Sequence, residues 1–159
     1  MDKIKITWSV RSECGPERKK NEDSVFPVAS GNKYLPFKAA ICDGLGGHAN
    51  GEIASKIAAE SMDTEEDDLL TIIEKANKKI VEEQNNNSGS GGMGTTMTAL
   101  TIDEDGLMQV GHVGDSRCYV LSDRNIVKIT DDQNVPGYKN VLKQALGTKD
   151  KLDIQKVDF

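Results

Sequence analysis

The sequence predicts an α+β protein built on antiparallel sheets, and three observations carry that expectation. The segments with helical periodicity fall in one block after Gly51, the apolar runs on either side are short and β-rich, and those runs are joined by tight turns. A doubly wound parallel sheet would instead alternate strand and helix along the chain.

In chain order, Ile4, Ile6 and Trp8 alternate with Lys3, Lys5 and Thr7, the period of a half-buried strand. Residues 13–23, rich in charge and carrying Gly15-Pro16, read as a loop, and residues 24–28 as a short second strand. Gly31-Asn32 predicts a hairpin turn before residues 37–42, an apolar run short enough for a central strand, which delivers Asp43. From Gly51 the period changes: Ile53, Ile57, Ala58 and Met62 fall at helical spacing, with Glu52 in the first turn where the helix dipole favours an anion. A second helix follows, with Asp67 or Asp68 as its cap and Leu69, Ile72, Ile73, Ala76 and Ile80 on one face. Residues 85–92, Asn-Asn-Asn-Ser-Gly-Ser-Gly-Gly, read as a flexible polar connection. Residues 95–102 and 107–113 form a hairpin around Asp103-Glu104-Asp105-Gly106, and residues 116–121 and 126–129 another around Ser122-Asp123-Arg124-Asn125. Residues 141–146 predict a short helix stopped by Gly147, and residues 152–159 the beginning of a further strand.

At 159 residues, 36% apolar and only 4% aromatic, the chain suits a single domain, residues 1–159, with a core of Ile, Val, Leu, Ala and Met. A net charge of −6 argues against a nucleic-acid or anionic-membrane partner, with Arg18-Lys19-Lys20 as the local exception. Cys14, Cys42 and Cys118 form no CxxC pair, so neither a disulfide framework nor a thiolate zinc site is indicated and a reducing cytoplasm is the expected compartment. No stretch approaches the roughly eighteen apolar residues of a membrane span, and the N-terminus has no signal-peptide h-region.

The chemistry gathers around residues 40–52, Ala-Ile-Cys-Asp-Gly-Leu-Gly-Gly-His-Ala-Asn-Gly-Glu. An apolar run ends in Asp43, and four glycines and His48 follow within eight residues, the pattern of a buried strand that turns tightly into a helix. Glu22 and Asp23, Asp43, and Asp115 in Val113-Gly114-Asp115-Ser116-Arg117 are carboxylates in loops or next to glycine. Hard divalent ions take such oxygen ligands and keep several waters, so a few convergent carboxylates and a backbone carbonyl suffice. The acidic turn at residues 103–106 fails the calcium-loop spacing, and residues 89–96 lack the lysine of a phosphate-binding loop. His112 reads as a packed or edge histidine on a strand, Cys42 as a small buried hydrophobe, and Arg117 as a partner for a nearby carboxylate.

Four ordered segments, residues 15–23, Asp43-Gly44-Leu45-Gly46-Gly47-His48 with Gly51-Glu52, Gly94-Thr95-Thr96, and residues 113–119, closely resemble the metal-dependent serine/threonine protein phosphatases of type 2C, the PPM type, in their bacterial branch. The resemblance implies an αββα sandwich, two antiparallel sheets packed on each other and flanked by helices, with two Mn²⁺ or Mg²⁺ ions at one edge and a phosphorylated protein as substrate. By position Asp43 would bridge the ions, Gly44 would offer its carbonyl, and Glu22 and Asp23 would hold one ion directly or through water. Asp115 matches a weaker third metal site, Arg18 the phosphate-binding arginine, and His48 a general acid for the leaving oxygen. Family members also carry a Ser-Asp-Gly strand end and a later Asp-Asn pair that this sequence does not contain. The sandwich is therefore expected to be incomplete at its C-terminal end and the metal site short of two carboxylates. Residues 130–134, Thr-Asp-Asp-Gln-Asn, stand where the family usually has Thr-x-Asp-His-Ser, and the flap before Val141 is short. A monomeric phosphatase is the expectation, and a catalytically inactive phosphatase-like binding module is the alternative.

Overall fold

The structure, a computed structural model, describes residues 3–45, 50–66, 68–86 and 92–159. It has eleven described strands and two described helices in the order β1 (Lys5–Trp8), β2 (Asp23–Phe26), β3 (Gly31–Tyr34), β4 (Phe37–Asp43), α1 (Gly51–Glu60), α2 (Leu69–Asn86), β5 (Met97–Ile102), β6 (Met108–Val113), β7 (Tyr119–Leu121), β8 (Ile126–Lys128), β9 (Asn134–Val135), β10 (Tyr138–Leu142) and β11 (Gln155–Asp158). A five-stranded antiparallel sheet runs β11-β6-β5-β4-β2, and β1-β3, β7-β8 and β9-β10 are separate antiparallel pairs. The α+β class with antiparallel sheets flanked by two helices is thus the architecture found.

The sheet sorts its residues by parity, as the pleat requires. Ala40 and Cys42 of β4, Met97 and Ala99 of β5 and Val113 of β6 share one face and pack under the helices. Against them α1 lays Ala54, Ala58 and Ala59, and α2 lays Leu69, Ile72, Ile73, Ala76 and Ile80, all buried. Small residues on α1 let it approach closely. Gly111 serves the same end on the sheet side, because a Cβ there would meet Ile73 Cδ1 at 2.5 Å. Asp68 caps α2, its carboxylate accepting from the Thr71 backbone N–H at 2.9 Å, whereas Asp67 lies outside the described residues. Helix α2 runs on through Asn85 and Asn86, so the polar connection starts later than the sequence suggests; residues 87–91 lie outside the described part.

The opposite face of the sheet is only partly covered. Val25, Ile41 and Leu100 line a cavity of about 320 Å³ bordered by Trp8 of β1 and by Arg117 and Cys118, and Ile41 remains 52% exposed.

Two local expectations are corrected. Gly31-Asn32 is not a turn but the start of β3, paired with Trp8 and Thr7 of β1. The glycine is there for close approach, since a Cβ would meet the Trp8 ring at 2.8 Å. Residues 141–146 are not a helix either. Val141 and Leu142 end β10, Leu146 forms a bridge with Thr95, and the Gln144 side chain exchanges hydrogen bonds with the Asp153 backbone, a long-range pairing that overrides local helical spacing.

His112 is fully buried on β6, as its sequence context suggests. Its Nε2 faces the Asp131 carbonyl at 3.0 Å, an atom that only accepts, so Nε2 carries the proton and Nδ1 accepts from the Thr98 hydroxyl at 2.8 Å. Burial holds its pKa below the ordinary value. The unfolded chain therefore binds this proton first: the stability held by neutral His112 is fully present above about pH 6.5 and is lost as pH falls below it. Imidazole ¹⁵N spectra are expected to show His112 as the Nε2–H tautomer, titrating below the ordinary imidazole range; titration at or above about pH 6.5 would contradict this environment.

Candidate metal centre and phosphate cleft

Strand β4 ends by carrying Asp43 to the rim of the sheet, and the register with β2 sets Asp23 directly opposite it. Like charges at directly opposed positions repel. Asp43 is also approached by Asp115, from the turn after β6, and by Glu22. Partial removal from water comes first among the causes that push the Asp43 carboxyl up to about 6; the charge of Asp23 and a hydrogen bond to it follow, then the charges of Asp115 and Glu22. Asp43 keeps solvent contact on its open side, so water screens part of this repulsion.

Backbone contacts leave Asp43 little freedom. Its N–H donates to Thr96 Oγ1 at 3.0 Å, and its carbonyl accepts from the Thr96 N–H and the Thr95 hydroxyl, both at 2.9 Å. Thr96 Oγ1 meets Ser116 Oγ at 2.8 Å, which ties the Asp43 strand end to the turn that carries Asp115. Gly44 follows with its N–H on the Glu22 carbonyl at 3.1 Å. A Cβ on Gly44 would lie 2.5 Å from both the Glu22 and Gly51 carbonyl oxygens, so no other residue fits between the β2 entry and the start of α1. At Gly114 the backbone has φ 113° and a Cβ would meet Thr96 Cγ2 at 2.6 Å, so glycine is required twice over beside Asp115.

Arg18, Asp43, Gly44 and Asp115 all line one cleft of about 820 Å³, whose far wall is formed by β10 and the residues after it, including Asn140 and Lys143. Arg18 is 66% exposed and held only loosely by Glu22, at 3.7 Å. Lys20 instead pairs with Glu52 in the first turn of α1 at 2.7 Å. His48 lies outside the described residues. Among the described residues no three His, Cys, Asp or Glu side chains converge closely enough to enclose an ion by themselves. The donor set nevertheless fits a hard divalent ion: oxygen ligands only, open to water, with a charge excess that a cation would neutralise.

Other titratable groups have ordinary structural roles. Cys42 is wholly buried and its thiol is pushed up to about 12 by burial, so it is no nucleophile. Arg117 grips Asp132 with both its Nε and its guanidinium end, which holds that carboxyl well below the usual range. The sequence motifs contain Thr95, Thr96 and Ser116, but nothing in composition or periodicity identifies them as the clamp that joins two motifs. Asn134 enters the sequence reading only as the last residue of the divergent segment 130–134, with no role attached to it.

Because the folded state raises the Asp43 pKa, its repulsion costs nothing below about pH 4, destabilises the metal-free protein progressively as pH rises from there to about 6, and is fully present above that. Asp43→Asn is therefore expected to raise the thermal midpoint of the metal-free protein at pH 7 by roughly 2–4 °C, or about 1 kcal/mol after solvent screening. The gain should vanish towards pH 4. A lower midpoint for the variant at pH 7 would show that the carboxylate is compensated without an ion.

Residues 11–136 match the family described as Protein phosphatase 2C. The chain is 38% identical over 136 residues to the serine/threonine protein phosphatase PstP of Mycobacterium tuberculosis, a match over 80% of this chain and 25% of PstP. It is 28% identical over 176 residues to the serine/threonine phosphatase stp of Listeria monocytogenes, over 91% of this chain and 68% of that protein. Among solved structures, the catalytic domain of PstP in complex with two manganese ions superposes with a TM-score of 0.76 at 27% identity, covering 98% of this chain and 71% of that one. The phosphatase Stp1 of Staphylococcus aureus shares the fold, with a TM-score of 0.75 at 22% identity over 99% of this chain and 70% of that one. The chain thus spans about a quarter of the length of PstP. By the extent of the match, it belongs to the protein phosphatase 2C family.

Proposed function

We propose that this chain is the major part of a single phosphatase domain that hydrolyses phosphoserine and phosphothreonine in proteins by a metal-activated water. The observation that carries this reading is the set of carboxylates whose charges act on Asp43, those of Asp23, Asp115 and Glu22, with Asp43 and Asp115 lining one cleft together with Arg18. A binding module that held a phosphorylated partner through Arg18 alone would have no use for four carboxylates that repel the phosphate. The two manganese ions in the PstP catalytic domain agree with the donor set.

In this reading Asp43 and the Gly44 carbonyl would hold the two ions together with Glu22 and Asp23, these directly or through water, and Asp115 would serve a weaker third site. Bound there, Mn²⁺ or Mg²⁺ supplies a water acidified towards neutrality and offsets charge on the phosphoryl oxygens. The chain's own residues do the rest. Arg18, loosely paired and exposed, is free to turn its planar guanidinium to two phosphoryl oxygens. The Thr95 and Thr96 hydrogen bonds hold the Asp43 backbone still, so the ligand geometry is set before substrate arrives. His48, outside the described residues, is assigned by its place in the motif as the proton donor to the leaving oxygen. A cytoplasmic monomer acting on phosphorylated signalling proteins completes the reading; no described helix is long and apolar enough to cross a membrane.

Hydrolysis of a phosphothreonine peptide should require Mn²⁺ or Mg²⁺ and cease on chelation. Arg18→Ala should lower kcat/KM about tenfold or more through KM, and Asp43→Asn should abolish turnover. Activity that survives thorough chelation, or that Asp43→Asn leaves unchanged, would overturn the proposal.

A further inference from the structure

Asn134, the first residue of β9, lies between the acidic cluster and the wall of the cleft. Its side-chain amide has two N–H donors. One reaches Asp115 Oδ2 at 3.2 Å and the other the backbone carbonyl of Lys139 on β10 at 2.6 Å. Asp115 is thereby tied to the hairpin whose Asn140, with Lys143 just after β10, lines the same cleft as Arg18. The neighbouring Gln133 fixes the same two parts by backbone: its N–H donates to the Gly114 carbonyl at 2.8 Å and its carbonyl accepts from Lys143 N–H at 2.8 Å. Gln133 thus holds the frame, and among the described residues Asn134 is the one that hydrogen-bonds the Asp115 carboxylate.

We propose that Asn134 is a positioning residue that couples ion occupancy at Asp115 to the order of the β9–β10 hairpin, the substrate-facing wall of the cleft. The amide occupies Oδ2 and leaves Oδ1 for the ion, so it fixes the rotation of the carboxylate as outer-shell partners of metal ligands do. An ion that holds Asp115 in place then holds Asn134, and through the Lys139 carbonyl it holds the hairpin. The chemistry requires an amide: a carboxylate at this position has no donor for either acceptor and would repel Asp115, whereas a serine could serve one of the two bonds but not both.

The inference rests on the reading of Asp115 as a metal ligand, and the test separates the two. Mn²⁺ binding is followed by the electron paramagnetic resonance of the free ion, and hydrogen exchange of residues 138–142 is measured with and without Mg²⁺, in the wild type, Asp115→Asn, Asn134→Ala and Asn134→Asp. Asn134 is only half-buried, so neither substitution opens a cavity in the core, and Asn134→Asp keeps the side-chain shape. The expected result is a weak class of Mn²⁺ sites lost in Asp115→Asn and weakened about 10–100-fold in both Asn134 variants, together with loss of the Mg²⁺-induced protection of residues 138–142. A residue that merely supported the hairpin would alter its exchange equally with and without the ion. If both Asn134 variants keep the wild-type affinity and the ion-induced protection, the coupling is overturned while Asp115 stands as a ligand. If Asp115→Asn binds Mn²⁺ like the wild type, the ligand reading fails and the coupling with it.

Discussion

The repulsion between Asp23 and Asp43 is the constraint on which the rest of the site depends. Antiparallel pairing of β2 with β4 forces the two carboxylates to face each other, and a shift of one residue would send Asp43 to the helix-covered face where Cys42 now lies. A fold optimised for stability alone would not place them there. The structure keeps the register because the paired strands are anchored by a buried apolar face, Ala40, Cys42, Met97 and Ala99 under α1 and α2, whose burial outweighs the local electrostatic cost. A divalent cation turns the same arrangement from a source of strain into a binding site.

Around that pair the chain spends its special residues. Gly44 fits between two carbonyl oxygens that would clash with any side chain, and Gly114 takes a backbone conformation that side chains avoid. Thr95, Thr96 and Ser116 then join the two strand ends by hydroxyl contacts, so that residues some fifty and seventy positions from Asp43 set its geometry. Short-range chain geometry supplies the turns, and long-range hydrogen bonds hold their relative positions. The charged groups that are merely structural are paired away from the cleft, as Arg117 with Asp132 and Lys20 with Glu52.

Much of this was legible in the sequence, and the reasons differ by element. The main strands and both helices follow from hydrophobic period, which reports burial on one face and nothing about partners. Asp43, Gly44, Arg18 and Asp115 stand out because carboxylates and an arginine beside glycines are unusual where a chain turns, and the structure brings these four to one cleft. What escaped depends on contacts distant in sequence. Gly31 looks like a turn residue until Trp8 is known to lie over it, and residues 141–146 look helical until Leu146 pairs with Thr95 and Gln144 with Asp153. Asn134 belongs to no local pattern, since its two acceptors, Asp115 and Lys139, come from different segments.

A metal site here requires the Asp43 carboxyl to be crowded and uncompensated until a cation arrives. Its ¹³C carboxyl titration, recorded without metal and with saturating diamagnetic Mg²⁺, reads this at the atom concerned. A midpoint near 6 without metal, falling into the ordinary carboxylate range or below when Mg²⁺ is present, is the predicted result. An ordinary midpoint of about 4 that Mg²⁺ leaves unmoved would contradict it.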